Sequence, residues 1–189
     1  MYPIDFCFNY HKLLNSRKLK NATAAALLNI APATSSQFVS GKSSPHAAVL
    51  VDISNFFAVS LDWLTGFADA QPYNAEKLLY FENLVLDTFD IHRQENFIFY
   101  KNTWFLRDHE IAAFYQNEES RLKLSLESRA EILYCLNVLM KEPKIAKKPF
   151  DLVNYADMCL DYLSKIIINR DVASPFTSIL SEKKPVDHD

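Results

Sequence analysis

The chain has 189 residues, of which 49% are hydrophobic and 23% charged, enough to bury the core of one or two globular domains. Only two glycines occur, Gly41 and Gly66, which excludes a Walker loop and a glycine-rich dinucleotide-binding loop. The three cysteines form no C-x-x-C pair, and no apolar run approaches the roughly 20 residues of a membrane span. We therefore expect a soluble, cytoplasmic protein with reduced cysteines, without a membrane partner and without a metal or cofactor.

The charge of the chain is unevenly distributed. The net charge is -3, yet residues 10–45 contain five basic side chains and no Asp or Glu, so that this segment carries +5 and the remainder -8. The five are Lys12, Arg17, Lys18, Lys20 and Lys42. Such asymmetry is typical of a domain that faces a polyanion. The sequence therefore predicts a compact positive surface in this part of the molecule.

Apolar residues at helical spacing predict five short helices in residues 1–70, over about 10–18, 22–28, 33–39, 47–57 and 61–64. Asn29 is able to take the left-handed conformation that ends a helix, and Pro32 is preset for a first helical turn. Gly41 is expected to end the third helix and Ser60 to cap the last. The predicted core of the final two helices consists of Phe56, Phe57, Leu61, Trp63 and Leu64.

The composition changes near residue 72, where we place a boundary between domains 1–70 and 71–189. Helical spacing predicts helices over 75–89 and 128–140, and the aromatic stretch 96–107 predicts a small β-hairpin or else a helix. We expect a loosely held tail after about residue 174. A further apolar stripe is interpreted as core or as the seam of a dimer; it consists of Leu152, Ala156, Cys159, Leu163 and Ile166.

Residues 19–45 follow the plan of a helix-turn-helix, in which the second of two short helices enters the major groove of DNA. This segment resembles the XRE, or lambda-repressor-like, family of DNA-binding domains and aligns with its usual pattern without a gap. Residues 59–66 are similar to the closing helix of that family. The resemblance covers about the first third of the chain and implies an N-terminal five-helix DNA-binding domain. Together with the helices predicted by spacing after residue 72, it leads us to expect a mainly α protein whose second domain is mostly helical. The matching positions are Leu19, Ala25, Leu28, Ile30, Ser36, Phe38, Gly41 and Pro45.

The segment departs from the family pattern at five positions. Four departures are Asn21 for the usual Gln, Asn29 for the turn Gly, Ala31 for the capping Ser and Val39 for a frequent Glu. The fifth is Ser35, which stands where the family has a buried Ile or Val. This departure has no explanation in the sequence unless Phe38 fills the volume that the small side chain leaves.

The resemblance implies a recognition helix over about 32–39. Its residues that face base edges are then Ala33, Thr34, Ser36 and Gln37. The amide of Gln37 is able to donate to and accept from adenine, while Ala33 and the methyl group of Thr34 suit the methyl group of thymine. These residues favour a half-site that contains A·T pairs.

Two further residues are expected to contact phosphates, because helix N-termini and lysines bind them. Asn21 lies at the first turn of the preceding helix, and Lys42 follows Gly41. The alternatives are that Asn21 only caps its own helix, that Lys42 only follows a helix end, and that Gln37 is a solvated amide.

We interpret the chain as a sequence-specific transcriptional regulator, in the first place a repressor and of a phage-related type, that binds a near-palindromic operator in double-stranded DNA as a homodimer. The alternative is an antitoxin-like or phage-encoded protein-binding module with a degenerate helix-turn-helix, which Ser35 and Val39 favour. The sequence leaves open whether a small molecule or a protein acts as an effector of this regulator. We expect no enzymatic activity, because the carboxylates that could pair are typical of solvated helix faces. They are Glu110, Glu118, Glu119, Glu127 and Glu131.

Overall fold

The computed structural model of the chain describes residues 5–67, 70–91, 97–100, 103–169 and 171–177. The structure is mainly helical. The first part contains α1 (Phe6–Ser16), α2 (Asn21–Leu28), α3 (Pro32–Val39), α4 (Ala47–Phe56) and α5 (Leu61–Leu64). The second part contains α6 (Ala75–Ile91), α7 (Asp108–Gln116), α8 (Glu118–Leu122), α9 (Leu126–Lys141), a 3-10 turn (Glu142–Lys144) and α10 (Leu152–Asn169). No helix within the described ranges combines the length and the apolar character that a membrane crossing requires.

Two short strands lie between α6 and α7, in the stretch for which the sequence left a hairpin and a helix open. Strand β1 (Phe97–Tyr100) pairs antiparallel with β2 (Thr103–Arg107). The register shifts between Ile98 and Phe99, and such an irregularity increases the local twist of a two-stranded ribbon. The ribbon leads directly into α7.

Helices of the first part begin and end at the residues that the sequence predicted as caps and helix ends. Asn29 is left-handed, with φ 55°, and ends α2, while Pro32 occupies the first turn of α3. The Oγ of Ser60 accepts a hydrogen bond of 2.9 Å from the N–H of Trp63 and so caps α5. The hydroxyl of Ser60 also donates to the carbonyl of Gln71 at 2.9 Å. The features that end or cap these helices nevertheless lie within one helical turn, so that residue type and spacing predict them.

Helix α1 begins at Phe6, four residues earlier than predicted. The reason is a shared buried face: the rings of Phe6 and Tyr10 stack with their centroids 5.3 Å apart, and both are buried. The additional turn is therefore stabilised by packing within the domain.

The structure decides between two interpretations of one apolar stripe and corrects a second expectation about burial. The stripe from Leu152 to Ile166 is core, since its five residues are at most 2% exposed, and α10 packs against α9. It is therefore not available as the seam of a dimer. Leu61, expected in the core, is 38% exposed although Trp63 and Leu64 of the same short helix are buried.

The hydrophobic core runs through the described residues of both parts. Phe56 and Phe57, at the end of α4, lie against Tyr134 of α9 with ring centroids 5.6 and 5.3 Å away. The side-chain amide of Asn137 donates to the carbonyl of Phe56 at 3.0 Å. The boundary near residue 72 stays a prediction, and the residues on its two sides bury apolar surface against each other.

The segment 174–177 is attached to the rest of the fold, which corrects the expectation of a tail that is loose from about residue 174. Phe176 is 7% exposed, and the N–H of Thr177 donates to the carbonyl of Ser16 at 3.0 Å. The remainder of the predicted tail, 178–189, lies outside the described residues.

Glu131, expected on a solvated helix face, is buried and forms an ion pair with Arg17. The Nη1 of Arg17 lies 3.3 Å from Oε1 of Glu131, with side-chain exposures of 1% and 3%. Hydroxyl groups of Ser174 and Tyr162 donate to the same carboxylate at 2.9 and 3.0 Å. Burial raises the pKa of Glu131, and Arg17 and the two hydroxyls offset only part of this rise. The pair ties the end of α1 to the middle of α9.

We expect the substitution Glu131→Gln to lower the free energy of unfolding by about 3–5 kcal/mol, because it leaves the buried guanidinium of Arg17 without a charged partner. Urea denaturation followed by circular dichroism measures this loss. The matched control is Glu119→Gln, whose ion pair with Lys123 at 2.9 Å is exposed and is expected to contribute less than about 1 kcal/mol. Equal small losses in both variants would show that the buried pair does not hold the two parts together.

Candidate nucleic-acid interface

Helices α2 and α3 are joined by a turn that backbone hydrogen bonds close. The N–H of Asn29 donates to Ala26 at 3.2 Å, and the N–H of Ile30 donates to Ala25 at 3.0 Å, the pattern of a Schellman motif. The left-handed Asn29 thus ends α2 in the place of the glycine of the family pattern, because a short polar side chain tolerates this conformation. Pro32 then starts α3 without a side-chain cap at Ala31.

The inner face of α3 is anchored on α1 through one aromatic residue. Phe38 is 4% exposed and meets the rings of Phe6 and Tyr10 edge to face, with centroids 5.5 and 6.1 Å apart. The thiol of Cys7 donates to the carbonyl of Val39 at 3.1 Å. These contacts fix the orientation of α3 and leave its opposite face outward.

Ser35 is fully buried, and its hydroxyl lies at the centre of a polar network. It donates to Oδ1 of Asn21 and lies 3.0 Å from the hydroxyl of Tyr10. The side-chain amide of Asn21 in turn donates to Oγ of Ser36 at 2.6 Å. Burial raises the pKa of Tyr10, so this hydroxyl stays protonated and able to donate. The departure at Ser35 thus has a structural explanation, because its small hydroxyl side chain forms hydrogen bonds with Tyr10 and Asn21.

The residues expected to contact DNA lie near one another on the outer side of the first part. Ala33, Ser36, Gln37 and Lys42 are exposed, whereas Thr34 and Asn21 are half-buried. The amide of Asn21 is already hydrogen-bonded to Ser35 and Ser36. The contact between Asn21 and a phosphate stays a prediction. Such a phosphate would be bound by the backbone N–H groups at the start of α2, which no side chain caps.

Gln37 and Lys42 are brought together by the end of α3. Gly41 is left-handed with φ 68°, and a Cβ there would lie 3.4 Å from Sγ of Cys7. The N–H of Lys42 then donates to the carbonyl of Gln37 at 2.9 Å. Oγ of Ser43 donates to the side-chain oxygen of Gln37 at 3.5 Å. This weak contact leaves the amide able to turn toward a ligand.

The positive surface predicted from the sequence is smaller than expected. Arg17 and Lys12 are buried, with exposures of 1% and 8%. Lys20 is exposed but lies 2.7 Å from the carboxylate of Asp151. Of the five basic residues, Lys18 and Lys42 thus remain exposed without an ion pair to a residue that the structure describes. The buried network of Tyr10 and Ser35 is the feature of this site that the sequence did not reveal.

Residues 11–64 match the model of the helix-turn-helix family, a span that runs from within α1 to the end of α5. No curated protein and no solved structure matches the chain. The fold and the outward face of α3 define the first part as a helix-turn-helix domain. Residues 11–64 are similar to the XRE, lambda-repressor-like type of this domain, and the match supports a DNA-binding regulator of the helix-turn-helix class.

We expect Ser35→Val to lower the free energy of unfolding by about 1–3 kcal/mol, because the buried hydroxyl of Tyr10 then loses its partner. The double variant Tyr10→Phe/Ser35→Val is the control, since it removes both hydroxyls and is expected to recover most of the loss. Urea denaturation of the wild type, the two single variants and the double variant measures the coupling. Strictly additive losses would contradict the network.

Proposed function

We propose that the chain is a sequence-specific transcriptional repressor that binds a near-palindromic operator in double-stranded DNA as a homodimer. The observation that carries this proposal is the outward face of α3, where Ala33, Ser36 and Gln37 are exposed while Phe38 holds the opposite face in the core. A protein of this kind acts by occupying its site, so it needs neither a catalytic group nor a cofactor. Cytoplasmic location belongs to the same proposal.

The chemistry of this face favours A·T pairs in each half-site. The side-chain nitrogen of Gln37 is able to donate to N7 of adenine, while its side-chain oxygen accepts from the N6 amino group, so that the amide makes two contacts at this base edge. Ala33 and the methyl group of Thr34 offer apolar contact to a thymine methyl group. Lys42 follows the left-handed Gly41, just after the end of α3. A positive charge there positions the protein on phosphates without reading sequence.

A dimer places two copies of α3 one helical turn of DNA apart, about 34 Å, so that each reads one half-site. Because the stripe of α10 is buried, another surface has to meet the second copy. We assign this role to α6, on which Leu79, Tyr80 and Leu84 are 45%, 64% and 47% exposed. Large apolar side chains gathered on an exposed helix are typical of association surfaces, and a twofold dimer pairs the same surface of each copy.

The second candidate is an antitoxin-like or phage-encoded protein-binding module. The burial of Arg17 and Lys12 favours it, because a DNA-binding surface depends on exposed positive charge. The internal hydrogen bonds of Asn21 point the same way. Selection of a bound duplex from a random pool distinguishes the two candidates, since the module would retain no duplex.

On the duplex so selected, we expect Gln37→Ala to cost about 1–3 kcal/mol of binding free energy and to have little effect on a scrambled duplex. Lys42→Ala is expected to weaken binding to both duplexes and to reduce the salt slope of log K by about 0.9 per protomer, because each protomer loses one phosphate contact. Fluorescence anisotropy at several salt concentrations measures both effects. Losses that are equal on every sequence for both variants would contradict the assigned roles.

For the dimer, we expect light scattering of the wild type at micromolar concentration to give twice the mass of the chain. The variant Leu84→Glu is expected to give the mass of a single chain, because a charge at an apolar seam is poorly solvated. The control is Leu122→Glu, which introduces the same charge at a side chain that is 59% exposed on α8. A monomeric wild type, free and on the operator, contradicts the homodimer. If Leu122→Glu were also monomeric, the loss of the dimer would not be specific to α6, and α6 would be excluded as the dimer interface.

A further inference from the structure

A groove of about 920 Å³ separates the helix-turn-helix from the loop that follows α9. One wall is formed by α2 and the turn after it, as far as Pro32 at the start of α3. The other wall is formed by residue 141 and residues 144–149. Among the described residues that line the groove there is no Asp or Glu. The groove thus runs along the helix that precedes the recognition helix.

The wall that the second part contributes is basic. Residues 141–148 contain four lysines and one glutamate. That glutamate, Glu142, is 1% exposed and lies 2.7 Å from Nζ of Lys148. Lys144 and Lys147 are exposed, and neither forms an ion pair with a residue that the structure describes. Two positive charges therefore stand at the groove without an anionic partner in this part of the chain.

This wall is held in place at both ends of α2. The Nζ of Lys141 donates to the carbonyl of Leu27, in the last turn of α2, at 3.1 Å and lies 4.6 Å from the ring centre of Phe56. At the other end Lys20, which directly precedes α2, pairs with Asp151 at 2.7 Å. These two contacts fix the distance between the lysine loop and the helix-turn-helix.

We propose that Lys144 and Lys147 bind phosphates of the same DNA duplex that α3 reads. In a helix-turn-helix the first helix crosses the phosphate backbone while the second enters the major groove. Here the first helix is α2, and Ala22 and Ala26 on its groove side have no long side chains that would keep a strand away. A backbone that crosses α2 then passes along the mouth of the groove, within reach of the two lysines.

Duplex DNA fits these lysines better than a small anion does. A site for a small anion needs polar groups that replace its hydration shell, whereas Lys144 and Lys147 are exposed and flexible. Duplex DNA carries one charge per about 1.7 Å of its axis, and binding to it is driven by release of condensed ions. Exposed lysines suffice for this kind of binding. The inference rests on the proposed function and extends the interface into the second part of the chain.

The test is the double variant Lys144→Ala/Lys147→Ala on the selected duplex. We expect the salt slope of log K to fall by about 1.8 per protomer, which is 0.9 for each lost phosphate contact. For the proposed dimer the slope then changes by about 3.6, so that the loss of affinity is about 150-fold greater at 50 mM than at 200 mM. The ratio of affinities for the selected and the scrambled duplex is expected to stay unchanged, because phosphate contacts do not read sequence.

The control is Lys123→Ala/Lys165→Ala, which removes the same charge at exposed lysines paired with Glu119 and Asp161. This variant is expected to keep the slope of the wild type. An unchanged slope in Lys144→Ala/Lys147→Ala, with the expected effect of Lys42→Ala, overturns the inference and leaves the proposed function standing. Equal slopes in the two double variants overturn it as well. A wild type that retains no duplex overturns the proposed function itself.

Discussion

The contact between Arg17 and Glu131 is the constraint on which the arrangement of the whole chain depends. Both groups are sealed from water, and a buried charge without its partner is costly. The surrounding bonds reinforce this requirement, since the hydroxyl of Tyr155 donates to the carbonyl of Arg17 at 2.6 Å, and the guanidinium lies 5.0 Å from the ring centre of Phe176. Helix α1, helix α9, helix α10 and the segment 174–177 therefore meet at one point.

The same constraint reaches the face that we assign to DNA. Arg17 directly follows α1, and Tyr10 of α1 contacts Ser35 and Phe38 of α3. The position of the recognition helix thus depends on α1, and the position of α1 depends on the second part. A second part that only tethered two copies would not require such contacts. The structure instead makes it a support for α3, the helix that we propose reads bases, and the lysine loop beside α2 is consistent with this role.

The features that could be predicted from the sequence are local ones. Asn29, Pro32 and Ser60 act within a turn of themselves, so residue type and spacing were sufficient. The burial of Arg17 was not predictable in this way, because its partner Glu131 lies 114 residues away in the sequence. For the same reason the charge of Lys20 appeared uncompensated, although Asp151 lies beside it in the fold.

Helical periodicity also reveals an apolar face without revealing what covers it. The stripe of α10 was open to two interpretations for this reason, and only the position of α9 decides that it is core. Ser35 looked like a defect in the family pattern because its partner Tyr10 belongs to another helix. The candidate residues on α3 could be named from the resemblance, whereas the lysines at 144 and 147 could not, because a short basic loop is usually only solvated.

The attachment of residues 174–177 to the end of α1 has a consequence for how the protein is made. A ribosome releases the helix-turn-helix long before it releases the carboxylate and the aromatic ring that enclose Arg17. During that interval the guanidinium has only water and transient neighbours around it. A product of interrupted translation would therefore carry α3, the helix that we propose reads bases, on an incomplete support.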